Sequence, residues 1–140
     1  MENGRTMEDR SIDELPRGRS ETILIAEDDE VLRKLADSVL GEFGYIVILA
    51  EDGDDAIEKF KSRKDDIRLV ILDMLMPGKN GKEVYDAIKA LNPDIRVLFA
   101  SGYAADILDT KEMLNAQFDF VMKPLSPIDL LHKVREILDR

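Results

Sequence analysis

Leu69-Val-Ile-Leu-Asp-Met-Leu-Met-Pro-Gly-Lys-Asn-Gly81 is the stretch on which the reading of this chain turns. Four consecutive apolar residues, Leu69 to Leu72, predict a strand buried on both faces, and the strand ends on a carboxylate, Asp73. A turn-forming Met-Pro-Gly-Lys-Asn-Gly follows at once and leaves Asp73 at the carboxyl end of the strand. In open α/β sheets ligands bind along that edge. A lone Asp after a strand more often caps the next helix. A chemical role for Asp73 therefore requires partners from other strand ends.

Working outward, Thr22-Ile-Leu-Ile-Ala26 is a second buried run, and it ends in Glu27-Asp-Asp-Glu30. Helical spacing follows in Val31, Leu32, Leu35, Val39 and Leu40, closed by Gly41 and Gly44. Tyr45 to Ala50 predicts another strand. Asp52-Gly53 opens a helix with Ala56, Ile57 and Phe60 on its apolar stripe and Lys59, Lys61, Arg63 and Lys64 late, where cations suit the dipole.

Beyond the central strand, Val84, Ala87, Ile88 and Leu91 mark a third helix, ended by Asn92-Pro93. Ile95 to Ala100 is a strand leading into Ser101-Gly102, and a weaker helix is expected over 104–115. Phe118 to Met122 is the last strand, ending in Lys123-Pro124. The final helix opens with Ser126 as N-cap and Asp129 three residues on; Ile128, Leu131, Val134 and Leu138 are its expected buried face. Five strands alternating with five helices argue an α/β fold, a parallel sheet with helices on both faces.

Residues 1–20 mix acids and arginines with Gly4, Pro16 and Gly18 and show no apolar period, so they read as a flexible tail or linker before a single domain, 21–140. A 44% apolar composition over 140 residues fills one core. The sequence has no run of about 18 apolar residues and no secretory leader pattern, which argues against a membrane span. The absence of cysteine excludes disulfides and thiolate chemistry and fits a cytoplasmic protein. A net charge of -10 repels phosphate backbones and argues against direct nucleic-acid binding.

Parallel strands bring their carboxyl ends to one edge, so Glu27 and Asp28, Asp73, Ser101 and Lys123 converge. Three carboxylates together are unfavourable unless a cation lies among them. The ligands are hard oxygens with no His or Cys, which points to Mg²⁺ and not zinc. A carboxylate beside Mg²⁺ can attack a phosphoryl group to give an aspartyl phosphate. Lys123 and the Ser101 hydroxyl could bind the phosphoryl oxygens and offset charge in the transition state.

Four segments together resemble the receiver domains of two-component response regulators: Ile-Ala-Glu-Asp-Asp-Glu (25–30), Leu-Asp-Met-Leu-Met-Pro-Gly (72–78), Ala-Ser-Gly (100–102) and Lys-Pro (123–124). The resemblance covers residues 22–139. It implies a flavodoxin-like (βα)5 three-layer sandwich with strand order 2-1-3-4-5. It also implies that Asp73 takes a phosphoryl group from a histidine kinase or histidine phosphotransfer domain. Mg²⁺ would be held by Asp28, Asp73, the Leu75 backbone carbonyl and, largely through water, Glu27. Ser101 would be the switch hydroxyl and Phe120 the switch aromatic, Asp29 would cap the first helix, and the Lys123–Pro124 bond would be cis.

The same resemblance assigns output to the surface of the fourth helix, fifth strand and last helix, which would change its affinity for a protein partner on phosphorylation. The chain would catalyse its own phosphorylation and dephosphorylation without being a turnover enzyme. The single histidine, His132, lies off the apolar stripe of its helix, so the phosphoryl donor must be another domain or protein. Residues 14–22 resemble the linker that joins a kinase domain to a terminal receiver, which favours a hybrid sensor kinase over a free single-domain regulator. Charged side chains on the last two helices suit a monomer or a weak homodimer. Two other classes remain: a pseudo-receiver that works by protein contact without phosphorylation, and an Asp-nucleophile hydrolase, for which the sequence offers no cap or substrate pocket.

Overall fold

The computed structural model describes residues 15–76, 78–102, 119–123 and 126–140. In chain order these form β1 (Thr22–Ala26), α1 (Glu30–Glu42), β2 (Ile46–Ala50), α2 (Gly53–Arg63), β3 (Ile67–Asp73), α3 (Gly81–Leu91), β4 (Arg96–Ser101), β5 (Asp119–Met122) and α4 (Pro127–Leu138). The helix expected over 104–115, together with Tyr103, Phe118 and Pro124, lies outside the described residues.

The strands form one parallel sheet in the order β2-β1-β3-β4-β5. Because successive side chains point to opposite faces, the apolar run of β3 feeds two cores at once. Val70 and Leu72, with Leu24, Val97 and Phe99, meet Phe60 of α2 and Val84 and Ile88 of α3. Leu69 and Ile71, with Ile23, Ile25 and Leu98, meet Leu40 of α1 and Leu131 and Val134 of α4. That is the flavodoxin-like three-layer arrangement: helices, sheet, helices.

Side-chain caps place the helix starts. Asp29 accepts from the Val31 and Leu32 amides, Asp52 from Asp55, and Ser126 from Asp129. At α3 a full capping box forms between Asn80 and Glu83. Gly41 does not end the first helix but lies inside it, and the chain turns at Gly44, where φ is +96°. Gly53 allows a close approach: a Cβ there would stand 2.8 Å from both Lys79 Cβ and Val84 Cγ2 and 2.9 Å from the Lys79 carbonyl oxygen. Gly53→Ala is expected to destabilise the fold by about 1–3 kcal/mol through overpacking, as read by urea unfolding. An unchanged midpoint would mean that the loop yields freely.

Two expected apolar faces are shifted. Leu40 is the buried residue of α1, while Val31 and Leu35 are 75% and 48% exposed. Beneath the N-terminal half of that helix the sheet ends in charged side chains, and a cavity of about 400 Å³ separates Leu32 and Leu35 from Pro127 and Leu130. In α4 the buried residues are Leu130, Leu131, Val134 and Ile137; Ile128 is exposed and Leu138 only half-buried.

The end of the segment read as a tail makes defined contacts. The Gly18 and Ser20 amides donate to the carbonyls of Phe43 and Gly44, the Arg17 guanidinium lies 4.9 Å from the Phe43 ring centroid, and Arg135 bonds the Arg17 carbonyl and the Glu21 carboxylate.

Candidate functional site

Strand register decides which side chains meet. Ala26 pairs with Leu72, so Glu27 and Asp73 leave the sheet at one level. Asp73 pairs with Ala100, and Ser101 with Met122, which sets Lys123 one residue beyond. The Lys123 amide donates to the Ser101 carbonyl at 2.7 Å and extends that pairing to the lysine itself.

The Lys123 ammonium bonds both acids: Nζ is 2.7 Å from Glu27 Oε1 and 3.0 Å from Asp73 Oδ2. Glu27 and Asp73 are buried, whereas Asp28 is exposed at the rim. One carboxylate oxygen from each of Glu27, Asp28 and Asp73 falls within 4.8 Å of the others. Asp73 Oδ1 accepts the Leu75 amide at 3.3 Å, which ties the acid to the loop that follows it. Ser101 ends β4 on the same edge and is buried. Phe120 lies on β5, opposite Phe99, and is 42% exposed, so it is not a core residue.

Charge follows burial. The Glu27 carboxyl is raised to about 7, first by burial and then by the Asp73 carboxylate beside it, against the pull of Lys123. Burial alone would depress the Lys123 ammonium, but the hydrogen bonds to Glu27 and Asp73 outweigh it and hold that group above its usual value. Glu27 Oε2 is buried with no hydrogen-bond partner among the described residues. Such an oxygen is costly unless it gains a proton or a cation. The donor set is all carboxylate, so the residues present fit a hard divalent ion better than zinc or copper.

The raised Glu27 carboxyl gives a signed pH dependence. A carboxyl that binds its proton more tightly when folded contributes stability below its unfolded value of 4.5, and this is lost as the pH rises through about 7. In EDTA the wild-type unfolding midpoint should fall over that interval, and Glu27→Gln should flatten the fall. An identical slope in the variant would assign the effect elsewhere.

The profile of the response regulator receiver domain matches residues 23–135. The chain belongs to the response regulator receiver domain family. This receiver domain is 36% identical over 121 residues to the probable transcriptional regulator ycf27 of Guillardia theta, covering 86% of this chain and 46% of that protein. It is 31% identical over 121 residues to the sensor kinase CckA of Brucella abortus, covering 86% of this chain and 13% of that protein. It thus spans less than half of these curated relatives. Among solved structures, the CheX–CheY–BeF3–Mg complex of Borrelia burgdorferi superposes with a TM-score of 0.76 at 26% identity, covering 83% of this chain and 87% of that chain.

Residues expected from the sequence at one edge are at one edge: Glu27, Asp28 and Asp73 are in mutual reach, and Lys123 bonds Glu27 and Asp73. Phe120 stands apart from that cluster, on the outer strand. Sequence reasoning missed Arg33, whose guanidinium reaches back to the acid pair; an arginine in the first turns of an amphipathic helix carries no signal of such a contact. Among the described residues no helix is long and apolar enough to cross a membrane.

Proposed function

We propose that this receiver domain accepts a phosphoryl group on Asp73 from a protein phosphohistidine, with Mg²⁺ bound at Glu27, Asp28, Asp73 and the Leu75 carbonyl. The observation that carries the reading is the buried Asp73 carboxylate, 3.0 Å from the Lys123 ammonium and within reach of two further acids. An Asp73 oxygen attacks phosphorus as the P–N bond to the donor histidine breaks and its electron pair returns to the imidazole nitrogen. Lys123 holds charge building on the phosphoryl oxygens. When bound, Mg²⁺ lowers the repulsion between the acids and the incoming phosphate.

The Ser101 hydroxyl then turns to the phosphoryl oxygens and Phe120 moves inward, which changes the surface around β5 and α4 for a downstream partner. Residues 21–140 form the receiver unit, cytoplasmic and monomeric or weakly dimeric. The test is incubation with acetyl phosphate and Mg²⁺. Gain of one phosphoryl mass, lost in EDTA, supports the reading; no gain under any donor, with no Mg²⁺ binding, supports a pseudo-receiver that acts by contact alone.

A further inference from the structure

Arg33 is the fourth residue of α1, and its side chain turns back toward the end of β1. Its Nη1 donates to the Glu27 carbonyl oxygen at 2.7 Å and lies 3.5 Å from that of Asp28. Glu27 is then held at three points: its amide by the Ala50 carbonyl at 3.1 Å, its carbonyl by Arg33, and its carboxylate by Lys123. The next residues are fixed as well, because Asp29 is occupied with the α1 amides. We infer that Arg33 is a positioning residue for the acid pair: it sets the main-chain turn that sends Glu27 inward and leaves Asp28 at the rim. This rests on the Mg²⁺ site proposed above.

Arg33 acts on a bound cation in two opposite ways. Its contact with the Glu27 carbonyl preorganises the oxygens, and groups that orient metal ligands are worth about 10–100-fold in affinity. Its positive charge opposes a cation nearby, an effect of about threefold for a partly solvated charge. Positioning outweighs repulsion. Arg33→Lys separates the two, because it keeps the charge while a single amine on a shorter stem does not reach the carbonyl.

Mg²⁺ titrations followed by amide chemical shifts give dissociation constants for wild type, Arg33→Lys and Arg33→Ala, alongside unfolding midpoints in EDTA. Both variants should bind Mg²⁺ about tenfold more weakly than wild type, the lysine variant no better than the alanine one. If Arg33→Lys binds like wild type, or Arg33→Ala binds tighter, charge governs and the inference is overturned. A lower midpoint with unchanged Mg²⁺ affinity also overturns it, since that is a structural role only. Wild type that binds no Mg²⁺ removes the metal site and this inference together.

Discussion

Asp73→Asn takes up no phosphoryl group from acetyl phosphate and Mg²⁺, a drop of more than about 100-fold from wild type. The amide keeps the size of the side chain and can still accept a hydrogen bond from Lys123, so the fold survives. What it loses is the anionic oxygen that attacks phosphorus. Glu27 and Asp28 do not substitute. Glu27 is hydrogen-bonded to the lysine, while Asp28 is out on the rim. Intact-mass spectra with peptide mapping read the result, and wild-type levels of modification in Asp73→Asn would remove the assignment.

Lys123→Met has the second-largest expected effect, and on two quantities. The ammonium is shared by two buried carboxylates, at 2.7 and 3.0 Å. Removing one partner of a buried charge cluster leaves the others uncompensated and typically costs 3–5 kcal/mol. Glu27 can take up a proton near neutral pH, which limits the loss to about 2 kcal/mol in EDTA. Mg²⁺ should restore much of that loss, because it supplies the missing positive charge. The rate of phosphoryl uptake should still fall by about 10²–10³, since Mg²⁺ does not replace a donor aimed at the transferred oxygens. A variant as stable as wild type in EDTA, or one phosphorylated at the wild-type rate, would contradict this role.

The distribution of what could be read from residues alone has a physical cause. Buried strands are legible because Leu69 to Leu72 and Ile23 to Ala26 are apolar without interruption, and helix starts are legible where Asp52 and Ser126 carry capping oxygens; the Asp29 cap came from the resemblance. Strand order cannot be computed from any one of these segments. It came from the resemblance, and the observed sheet has that order.

The faces of α1 and α4 were misread because periodicity reports only that a stripe exists. It does not report that the sheet beneath the N-terminal half of α1 ends in Glu27, Asp73 and Lys123, where Val31 and Leu35 stay exposed. In α4 two adjacent leucines, Leu130 and Leu131, share the buried face, and Ile137 takes the place expected for Leu138. Arg33 was invisible for a related reason: a hydrogen bond to a main-chain carbonyl six residues away leaves no trace in residue type.

Crystals of the protein grown with Mg²⁺ and beryllofluoride show where a phosphoryl mimic binds. Beryllium is expected on an Asp73 oxygen, with a fluoride within hydrogen-bond reach of the Lys123 ammonium and the metal on the Asp28 and Asp73 carboxylates. Beryllofluoride on another acid, or a metal bound away from the ends of β1 and β3, would contradict it.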